Sequence, residues 1–520
     1  MKVFDKVFSS MKDIPVEKNY IDKIYKIHKY WARKPWYVVS SYIKKYSKPG
    51  ELVIDPFCGS GLTGVESVFL NRNFYGIDLN PMSTFISEGT LKSKVEVDEL
   101  KKAFCEIQEI CKEEVLSLYD TGQKCPECGG RLLQKHIICG GPRKGYTRVY
   151  CENCSYSSEI KDDLTCLEKK GKGKYWVPST LMPKKFFKDR FSYKGVSKVV
   201  DFYSTRNLYA LSCILNAIKT IDCKYQDLLL LAFSNTVLHA SKLKGENVRP
   251  MSVNNYWIPN DYIDENVWFR FEDRIKLLIA SKEAFNKRAE NAKIGTYSLM
   301  NGSCLNKDNF KRADYIFTDP PYGETIQYSE LSFVWNAWLG FSYENKDEVI
   351  INPVQKKNVD SFNALLNISL ENIYDFLKDD GYFTLCFANK DFVVWRSILK
   401  KCKELGFELC DVSTYDTYGC PYNKNWSKFS PKSDFYITFR KQVTNTPIVE
   451  IDDELIDLKN LVSKTIKTMM KRGIDISLDK VYDASMSYLI WNMFYNEANI
   501  NIPDFDIKDF NEVVQEIAKK

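Results

Sequence analysis

Histidine is scarce in this sequence, because its 520 residues include only three, His28, His136 and His239. A reaction that depends on histidine as general base is therefore poorly supported. Long apolar runs are also missing: the longest candidate, residues 228–233, is far shorter than the roughly 18 residues of a membrane helix. Residues 1–20 contain no apolar signal core, so the sequence predicts a cytoplasmic protein without membrane contact.

The excess of positive charge is small, because the sequence has 74 Lys and Arg residues and 68 Asp and Glu residues, which gives a net charge of +6. The distribution is uneven. Residues 124–198 hold 17 basic and 7 acidic side chains, a balance of +10, whereas residues 441–520 hold 10 basic and 14 acidic ones, a balance of −4. A concentrated basic block is expected of a surface that binds phosphate groups. The alternative is a solvated, lysine-rich surface.

The 16 cysteines do not indicate disulfides in a chain of this kind, and most are isolated. Four form two Cys-x-x-Cys pairs with 22 residues between them: Cys125 with Cys128, and Cys151 with Cys154. This spacing is typical of a zinc ribbon, in which four thiolates form a closed tetrahedral site. The sequence therefore predicts a structural zinc ion without a chemical role. Three further residues that could act as ligands lie nearby at irregular spacing: His136, Cys139 and Cys166.

A glycine-rich turn follows the first predicted strand, residues 51–55. The turn contains Gly59 and Gly61 and leads into a predicted helix, and a second strand then ends in Asp78, 17 residues after Gly61. Glycines at a helix N-terminus let the backbone approach a ligand, and an acid after the second strand is placed to bind ribose hydroxyls. These features predict a nucleoside-cofactor site, and a nicotinamide cofactor is not favoured. A tight turn inside an ordinary α/β unit is the alternative.

A second motif follows the predicted strand at residues 313–318, and its sequence is Asp319-Pro320-Pro321-Tyr322. The two prolines stiffen the backbone and remove N–H donors, which leaves the Asp319 carboxylate and the Pro320 carbonyl as fixed acceptors. Acceptors without donors suit an exocyclic amine, and Tyr322 is placed to stack on a planar ring. These four residues alone indicate only a proline-rich turn, but the upstream glycine turn favours a functional site.

Together, DPFCGSG at residues 55–61 and DPPY at residues 319–322 resemble the amino-methyltransferases that act on DNA bases with S-adenosylmethionine. Four other stretches are similar to adenine-specific DNA methylases with a zinc ribbon: HKYWARKP at 28–35, YSTRNLYAL at 203–211, NVW at 266–268 and YSEL at 328–331. The resemblance covers roughly residues 20 to 440. The first two motifs are specific to the reaction class, and the others mark only the subfamily.

The resemblance implies a role for each matching position. The positions of the cofactor loop are Asp55, Phe57, Gly59 and Gly61, with Phe57 packing on the methionine end. Asp78 matches the ribose acid, and Lys34 and Pro35 match an element that lines the cofactor pocket. The catalytic positions are Asp319, Pro320, Pro321 and Tyr322. The acid usual in the segment before DPPY is replaced by Asn301 and Ser303, and Ser303 is expected to be a pocket residue.

The implied reaction is methyl transfer to N6 of an adenine flipped out of double-stranded DNA, in restriction-modification or phage defence. It needs no catalytic metal. Three alternatives stay open: N4 of cytosine, an RNA base, and a catalytically silent DNA-binding subunit. The carboxylates of Asp55, Asp78 and Asp319 argue against a silent subunit.

The predicted fold is α/β, a Rossmann-like class I methyltransferase sheet interrupted by a large insertion. Residues 1–90 and 291–440 form the split methyltransferase domain, with strands near 52–55, 74–77, 297–300, 315–318, 382–388, 407–413 and 434–439. Residues 91–200 are expected to form a helix and the zinc ribbon, and residues 201–290 a helical insert. The basic region of the ribbon is assigned to DNA contact and target recognition, and a structural brace is the alternative. Residues 441–520 are predicted to be helical, with apolar stripes for core packing or for an interface with a second copy or a defence-system partner.

Overall fold

The computed structural model describes residues 2–10, 20–187, 195–251, 256–290, 292–342, 344–416, 433–442, 450, 456–497, 500 and 507–518. The strands are β1 Leu52–Asp55, β2 Asn73–Asp78, β3 Asp120–Lys124, β4 Arg131–Ile138, β5 Tyr146–Cys151, β6 Ser157–Lys161, β7 Ile263–Glu265, β8 Tyr297–Asn301, β9 Ala313–Thr318, β10 Leu377–Phe387, β11 Phe407–Asp416 and β12 Ser433–Lys441.

The α-helices are α1 Val3–Ser10, α2 Trp36–Tyr46, α3 Leu62–Phe69, α4 Pro81–Leu91, α5 Val97–Ile107, α6 Glu113–Ser117, α7 Thr205–Thr220, α8 Gln226–Val237, α9 Val267–Ala289, α10 Tyr328–Leu339, α11 Val359–Phe376, α12 Phe392–Leu405, α13 Leu458–Lys471, α14 Leu478–Tyr495 and α15 Ile507–Ala518. A π-helical turn, Gln108–Lys112, joins α5 to α6, so the helix predicted over residues 97–118 is interrupted. No described helix has the length and apolar character that crossing a membrane requires.

The central sheet has seven strands in the order β11-β12-β10-β9-β1-β2-β8. Only β12 runs antiparallel to its neighbours, β10 and β11. This mixed α/β architecture with a mostly parallel sheet is consistent with the predicted methyltransferase fold. Each predicted strand is present, although β10 begins at Leu377, five residues before its predicted start, with an irregularity between Leu377 and Tyr382. The carboxyl ends of the parallel strands share one edge, where ligands bind in sheets of this kind.

The chain leaves this sheet after β2 and returns at β8, and the residues between form a helical layer and a second sheet. The second sheet, here called the cysteine sheet, contains β3, β4, β5 and β6 in antiparallel order, and β7 pairs with β4. The sequence analysis did not predict β7. The helical stretch expected over residues 204–240 is two helices, α7 and α8. The predicted domain boundaries at residues 90, 200, 290 and 440 stay predictions.

A buried polar cluster joins the cysteine sheet to the helices. Arg206 Nε donates to Asp264 Oδ1 at 2.7 Å, and the Arg206 side chain is fully buried. Asn207 Nδ2 donates to the carbonyl oxygen of Glu265 at 3.1 Å, and Asn266 Nδ2 donates to that of Gln134 at 3.0 Å. The stretches at residues 203–211 and 266–268 therefore supply anchors that hold the cysteine sheet in place.

Helix α14 packs into the core beside the central sheet. All of its residues from 481 to 494 are buried. The ring of Phe494 lies 5.8 Å from that of Phe439 on β12, and the ring of Tyr488 lies 4.1 Å from that of Phe4 on α1. The apolar stripe on this helix is therefore core, as the packing interpretation predicts.

Candidate active site

A cavity that is open to solvent lies at the carboxyl edge of β9, β1, β2 and β8. Seven of the predicted site residues line it: Lys34, Asp55, Phe57, Gly59, Asp78, Asp319 and Pro321. The structure thus brings the glycine turn and the proline motif, more than 250 residues apart in the chain, to one space. Because β1 pairs directly with β9, the loops that follow these two strands are neighbours.

The glycine turn approaches the cavity with its backbone. Gly59 has φ +53°, and its N–H donates to Asp78 Oδ2 at 2.9 Å. A Cβ at this position would lie 3.1 Å from the Tyr30 ring, so a side chain would crowd the wall. Gly61, with φ +80°, is the N-cap residue of α3. Only glycine adopts a positive φ at little energetic cost, which explains why glycine occupies both of these positions in the turn.

The turn also has a third glycine, which completes a G-x-G-x-x-G pattern from Gly59 to Gly64. A Cβ on Gly64 would lie 2.6 Å from the ring of Phe74 on β2. This position therefore serves the close packing of helix on strand that the pattern provides in dinucleotide-binding folds. Because that pattern is shared with nicotinamide sites, the expectation that the glycine turn disfavours a nicotinamide cofactor is wrong, and the glycines alone do not identify the cofactor.

Asp55 ties the glycine turn to the neighbouring strand. Its Oδ2 accepts from the Thr63 hydroxyl at 2.7 Å, and its Oδ1 accepts from the Thr318 hydroxyl at 2.8 Å. The N–H of Phe57 also donates to Oδ1, at 3.1 Å. Burial raises the pKa of Asp55 to about 6, against the effect of these hydrogen bonds. Asp55 therefore holds α3 and β9 together behind the cavity.

Asp78 is the last residue of β2 and lines the cavity. Its two oxygens accept from the N–H groups of Gly59 and Asn80, each at 2.9 Å. Burial raises the pKa of Asp78 to about 7. A carboxylate oxygen accepts more than one hydrogen bond, so Asp78 retains acceptor capacity for hydroxyl groups of a ligand.

A buried ammonium connects the proline motif to a distant strand. Lys34 Nζ lies 3.4 Å from Asp319 Oδ1 and 2.8 Å from Asp434 Oδ2. Burial alone would lower the pKa of Lys34, but the charges of Asp319 and Asp434 outweigh it and hold this pKa well above its usual value. Burial raises the pKa of Asp319 to about 6, and Lys34 opposes that rise.

Tyr322 belongs to the same cluster. Its hydroxyl donates to Asp319 Oδ1 at 2.7 Å and accepts from Lys34 Nζ at 2.6 Å. Its ring packs against Phe387 with 5.1 Å between centroids. Asp319 Oδ2 accepts no hydrogen bond from the described residues, so this oxygen is available to a donor in the cavity.

Five predicted site residues do not line the cavity: Pro35, Gly61, Ser303, Pro320 and Tyr322. The Ser303 hydroxyl accepts from the N–H of Leu305 at 3.1 Å and so shapes the loop after β8. Its neighbour Cys304 lines the cavity instead. The role of Ser303 stays a prediction, as do the roles of the other four.

The structure adds residues that the sequence analysis did not single out. Tyr30 lines the cavity and stacks on Tyr328 with 5.8 Å between ring centroids. Asn80 lines it as well and is the N-cap of α4, where its side chain accepts from the N–H of Met82. The dipeptide Asn80-Pro81 is a helix-start signature that the sequence does contain. Asp434 carries no local signal, because its partner Lys34 is 400 positions away.

The four paired cysteines converge at one end of the cysteine sheet. The Sγ atoms of Cys125 and Cys154 are 3.5 Å apart, as are those of Cys128 and Cys151, and the four lie within 4.8 Å of one another. A tetrahedron with Zn–S bonds of about 2.3 Å separates its sulfurs by about 3.8 Å. The donor set and its spacing therefore fit a zinc ion, and the cluster is a candidate four-cysteine metal site.

Sequence comparisons agree with the geometry of the cavity. The N6/N4 methyltransferase family, described as DNA methylase, matches residues 2–86. Type II methyltransferase M.MjaII of Methanocaldococcus jannaschii is 25% identical over 401 residues, which cover 71% of this chain and 72% of that protein. Type II methyltransferase M2.DpnII of Streptococcus pneumoniae is 36% identical over 70 residues, 14% of this chain and 26% of its own. Type II methyltransferase M2.MboI of Moraxella bovis is 40% identical over 50 residues, 10% of this chain and 18% of its own. These similarities support a DNA methyltransferase.

Proposed function

We propose that this protein transfers the methyl group of S-adenosylmethionine to the N6 amine of an adenine flipped out of double-stranded DNA, within a restriction-modification or defence system. One observation carries the proposal: the acceptor Asp319 and the ribose acid Asp78 face the same cavity. The similarity to Type II methyltransferases supports a DNA substrate, and adenine is favoured over cytosine by the resemblance of the motifs.

The residues of the cavity fit the cofactor. Asp78 would accept ribose hydroxyls, the backbone at Gly59 would pass close beneath the ligand, and Phe57 would pack against the methionine chain. The cofactor supplies a methyl group on a sulfonium, which is already activated toward a nucleophile. The protein therefore has to orient and polarise the acceptor amine and needs no covalent intermediate.

Asp319 and the Pro320 carbonyl would accept the two N–H bonds of the target amine. Such acceptors stabilise the positive charge that develops on nitrogen while the N–C bond forms and the C–S bond breaks. With a pKa of about 6, Asp319 is mostly ionised at pH 7. The proton that leaves the methylated nitrogen then passes to this carboxylate or to water. Tyr322 is proposed to stack on the flipped base. This contact would offset part of the free energy that is lost when the base leaves the duplex stack.

Nucleoside mass spectrometry after incubation with isotope-labelled S-adenosylmethionine tests the function directly. Double-stranded DNA and RNA serve as parallel substrates. Labelled N6-methyladenine in DNA supports the proposal. Labelled N4-methylcytosine, or a label found only in RNA, contradicts it, and binding of DNA without any transfer favours a catalytically silent subunit.

The basic block suggests where DNA is bound. Within the cysteine sheet, two arginines are paired with acids: Arg131 with Glu113 and Glu152, and Arg143 with Glu159 and Glu246. Paired charges contribute little to a phosphate-binding surface. Residues 169–187, here called the strap, run from the cysteine sheet along α7 to the start of α10.

The strap presents a row of lysines to solvent. Lys170, Lys172 and Lys174 are exposed and, among the described residues, form no ion pair. The residues between them face the helices: the N–H of Gly173 donates to the Tyr209 hydroxyl at 2.8 Å. Trp176, 52% exposed, follows on the lysine side. We infer that the strap contacts the DNA backbone, since lysines interleaved with an aromatic ring suit nucleic acid.

Replacing Lys170, Lys172 and Lys174 by alanine is expected to weaken DNA binding at every sequence equally. The slope of log K against log salt concentration should become shallower by about 2 to 3, because each phosphate contact contributes about 0.9. Fluorescence anisotropy over a salt series measures this slope. The matched control is the triple alanine variant of the exposed lysines Lys44, Lys467 and Lys471, and an equal loss in both variants would contradict a specific role for the strap.

A zinc ion in the four-cysteine site is expected at one atom per chain. Mass spectrometry of the metal content measures it, and Cys128→Ser with Cys154→Ser should abolish it, because two thiolates remain. Unfolding of the cysteine sheet in this variant should then weaken DNA binding. The control is Cys105→Ser with Cys223→Ser, at two cysteines outside the cluster, which should retain zinc. Full occupancy in the Cys128 and Cys154 variant would contradict the assignment.

A further inference from the structure

An arginine on α9 has no counter-charge in the part of the chain that the structure describes. Arg274 makes no ion pair or hydrogen bond there, and its Nε atom is buried without a partner. Its acidic neighbours Glu265 and Asp273 both pair with Arg270 instead. A guanidinium that is partly withdrawn from water without a partner is unfavourable, so this position suits an anion that binds there.

A second group without a partner lies just beyond the end of α8. The Nδ1 atom of His239 is buried, and its ring makes no hydrogen bond with any described residue. Burial lowers the pKa of His239, and the charges of Arg274 and Arg270 lower it further, so the imidazole is neutral at pH 7 and carries one N–H donor. A donor beside an unpaired guanidinium suits a phosphodiester, whose oxygens only accept hydrogen bonds.

The helices that carry these two groups lie side by side, and a lysine joins them at one end. Near the start of α8, Lys92 Nζ donates to Asp227 Oδ2 at 2.5 Å. The carbonyl oxygen of the same lysine accepts from Lys282 Nζ, in the C-terminal half of α9, at 3.0 Å. The beginning of α8 therefore lies near the C-terminal half of α9.

An asparagine joins the same two helices at their other end. Asn207 Nδ2 donates to the carbonyl oxygens of Ala240, just after α8, and Glu265, just before α9, at 2.9 and 3.1 Å. The helices are therefore antiparallel, and the turn after α8 lies beside the first turns of α9. Because a long helical side chain points toward the N-terminus of its helix, Arg274, two turns into α9, extends toward His239.

Two lysines complete the cluster. The Lys244 side chain has no partner among the described residues, and its carbonyl oxygen accepts from the N–H of Ile263 at 2.8 Å, close to where α9 begins. Lys29 Nζ donates to two backbone carbonyl oxygens, at 2.6 and 2.9 Å, and pairs with no described acid. Besides burial and the two arginines, both lysines lower the pKa of His239. These residues, Arg274, His239, Lys244 and Lys29, are here called the Arg274 cluster.

The surroundings of the cluster favour a phosphate of DNA over that of a small molecule. Lys29 is followed directly by Tyr30 and Trp31, which line the cavity. Trp31 Nε1 donates to the carbonyl oxygen of Met251 at 3.3 Å, and Lys29 Nζ donates to the same oxygen. Arg249, two residues earlier, is exposed and unpaired within the described ranges. A base that flips into the cavity would keep its flanking phosphates beside this wall.

We propose that the Arg274 cluster binds one phosphate group, and that this phosphate belongs to the DNA backbone beside the flipped base. Arg274 would donate to two phosphate oxygens, His239 would donate one N–H, and the lysines would add positive charge. This inference rests on the proposed function. It gives the DNA backbone a second contact besides the strap, and the cluster touches neither the cofactor nor the transferred methyl group.

The salt dependence of DNA binding tests the site without any measurement of activity. Fluorescence anisotropy of a labelled duplex over a salt series compares the native chain with Arg274→Gln and Arg274→Lys. Arg274→Gln should make the slope of log K against log salt concentration shallower by about 0.9, the contribution of one phosphate contact. It should also weaken binding by about 10-fold, equally for every sequence. Arg274→Lys keeps the charge and should keep the slope.

The matched control is Lys276→Gln, which removes an exposed positive charge from the same helix, where it lies 3.7 Å from Glu272. It should leave the slope unchanged. Urea unfolding separates binding from a structural role. Arg274→Gln should unfold at the native midpoint or above it, because the native charge has no partner in the free protein. A lower midpoint would assign Arg274 to the fold and overturn the inference.

Thermal unfolding with inorganic phosphate distinguishes the two sources of the ligand. Stabilisation of the native chain that is lost in Arg274→Gln, with an unchanged slope for DNA, supports a phosphate site but assigns it to a free phosphorylated molecule. Equal slopes and equal stabilisation in Arg274→Gln and Lys276→Gln overturn the phosphate site alone. A native chain that binds no duplex DNA overturns the proposed function, whichever result inorganic phosphate gives.

Discussion

Replacing Asp319 by asparagine is expected to lower the rate of methyl transfer by about 10²- to 10³-fold, the usual effect of removing one preorganised electrostatic partner of a transition state. The amide has the shape of the carboxylate but neither its charge nor its ability to take the departing proton. Because Asp319 is proposed to act on the target amine alone, the affinity for S-adenosylhomocysteine should stay unchanged.

Single-turnover methylation of DNA and calorimetric cofactor binding measure the two quantities separately. The control is Asp360→Asn, an exposed carboxylate in the first turn of α11, which should change neither. Transfer at the native rate by the Asp319 variant would remove the basis of the proposed mechanism. Loss of cofactor affinity together with rate would instead assign Asp319 to the cofactor pocket.

The second large effect is expected from Lys34→Met. The substitution leaves Asp319 and Asp434 without the ammonium that lies between them, and breaking a buried ion pair of this kind typically costs about 3–5 kcal/mol of stability. The Lys34 side chain is 7% exposed, so water cannot replace the lost charge. Urea unfolding monitored by circular dichroism measures the loss.

The same variant has a predictable pH dependence. Burial already raises the pKa of Asp319 to about 6, above its ordinary value of 3.8, and removing Lys34 raises it further. A folded-state pKa above the unfolded one means that stability is fully present below about pH 4 and is lost as pH rises through the folded pKa. The acid limb of the kcat/KM profile, near pH 6 in the native protein, should move to higher pH.

Asp434→Asn in the Lys34→Met background is the informative control. It leaves a single carboxylate in the cluster, so part of the lost stability should return and the acid limb should move back toward pH 6. If the double variant is no more stable than Lys34→Met, the loss comes from the missing packing of the lysine stem, and the charge argument is wrong.

The parts of the site that the sequence predicts share a physical reason. A buried strand that ends in Asp55 or Thr318 is a local pattern, and the carboxyl ends of parallel strands meet at one edge. Two local motifs therefore predict a common cavity once both strands are placed in one sheet. The cysteine cluster is predicted from local patterns as well, because a hairpin between two Cys-x-x-Cys turns is enough to bring the four thiols together.

The parts of the site that the sequence does not predict depend on contacts between residues that are far apart in the chain. Asp434 meets Lys34 because β12 lies beside β10, and Asp347 reaches the cavity because Lys357 and Ser329 fix its turn. Neither arrangement leaves a periodic or compositional trace. Ser303 shows the converse: its position along the chain suggests a pocket residue, but its hydroxyl is bonded within its own loop.

The pairing of β7 with β4 has a consequence for exchanging the cysteine sheet between related chains. A graft that moves only residues 120–161 between related chains would pair the transplanted β4 with the recipient's own β7. It would also replace Gln134, which accepts a hydrogen bond from Arg206, while Arg206 and Asp264 stay in the recipient. A transferred segment should therefore include residues 263–266 and 204–207 as well as the cysteines. Its boundaries then lie in the helical layer and not within the cysteine sheet.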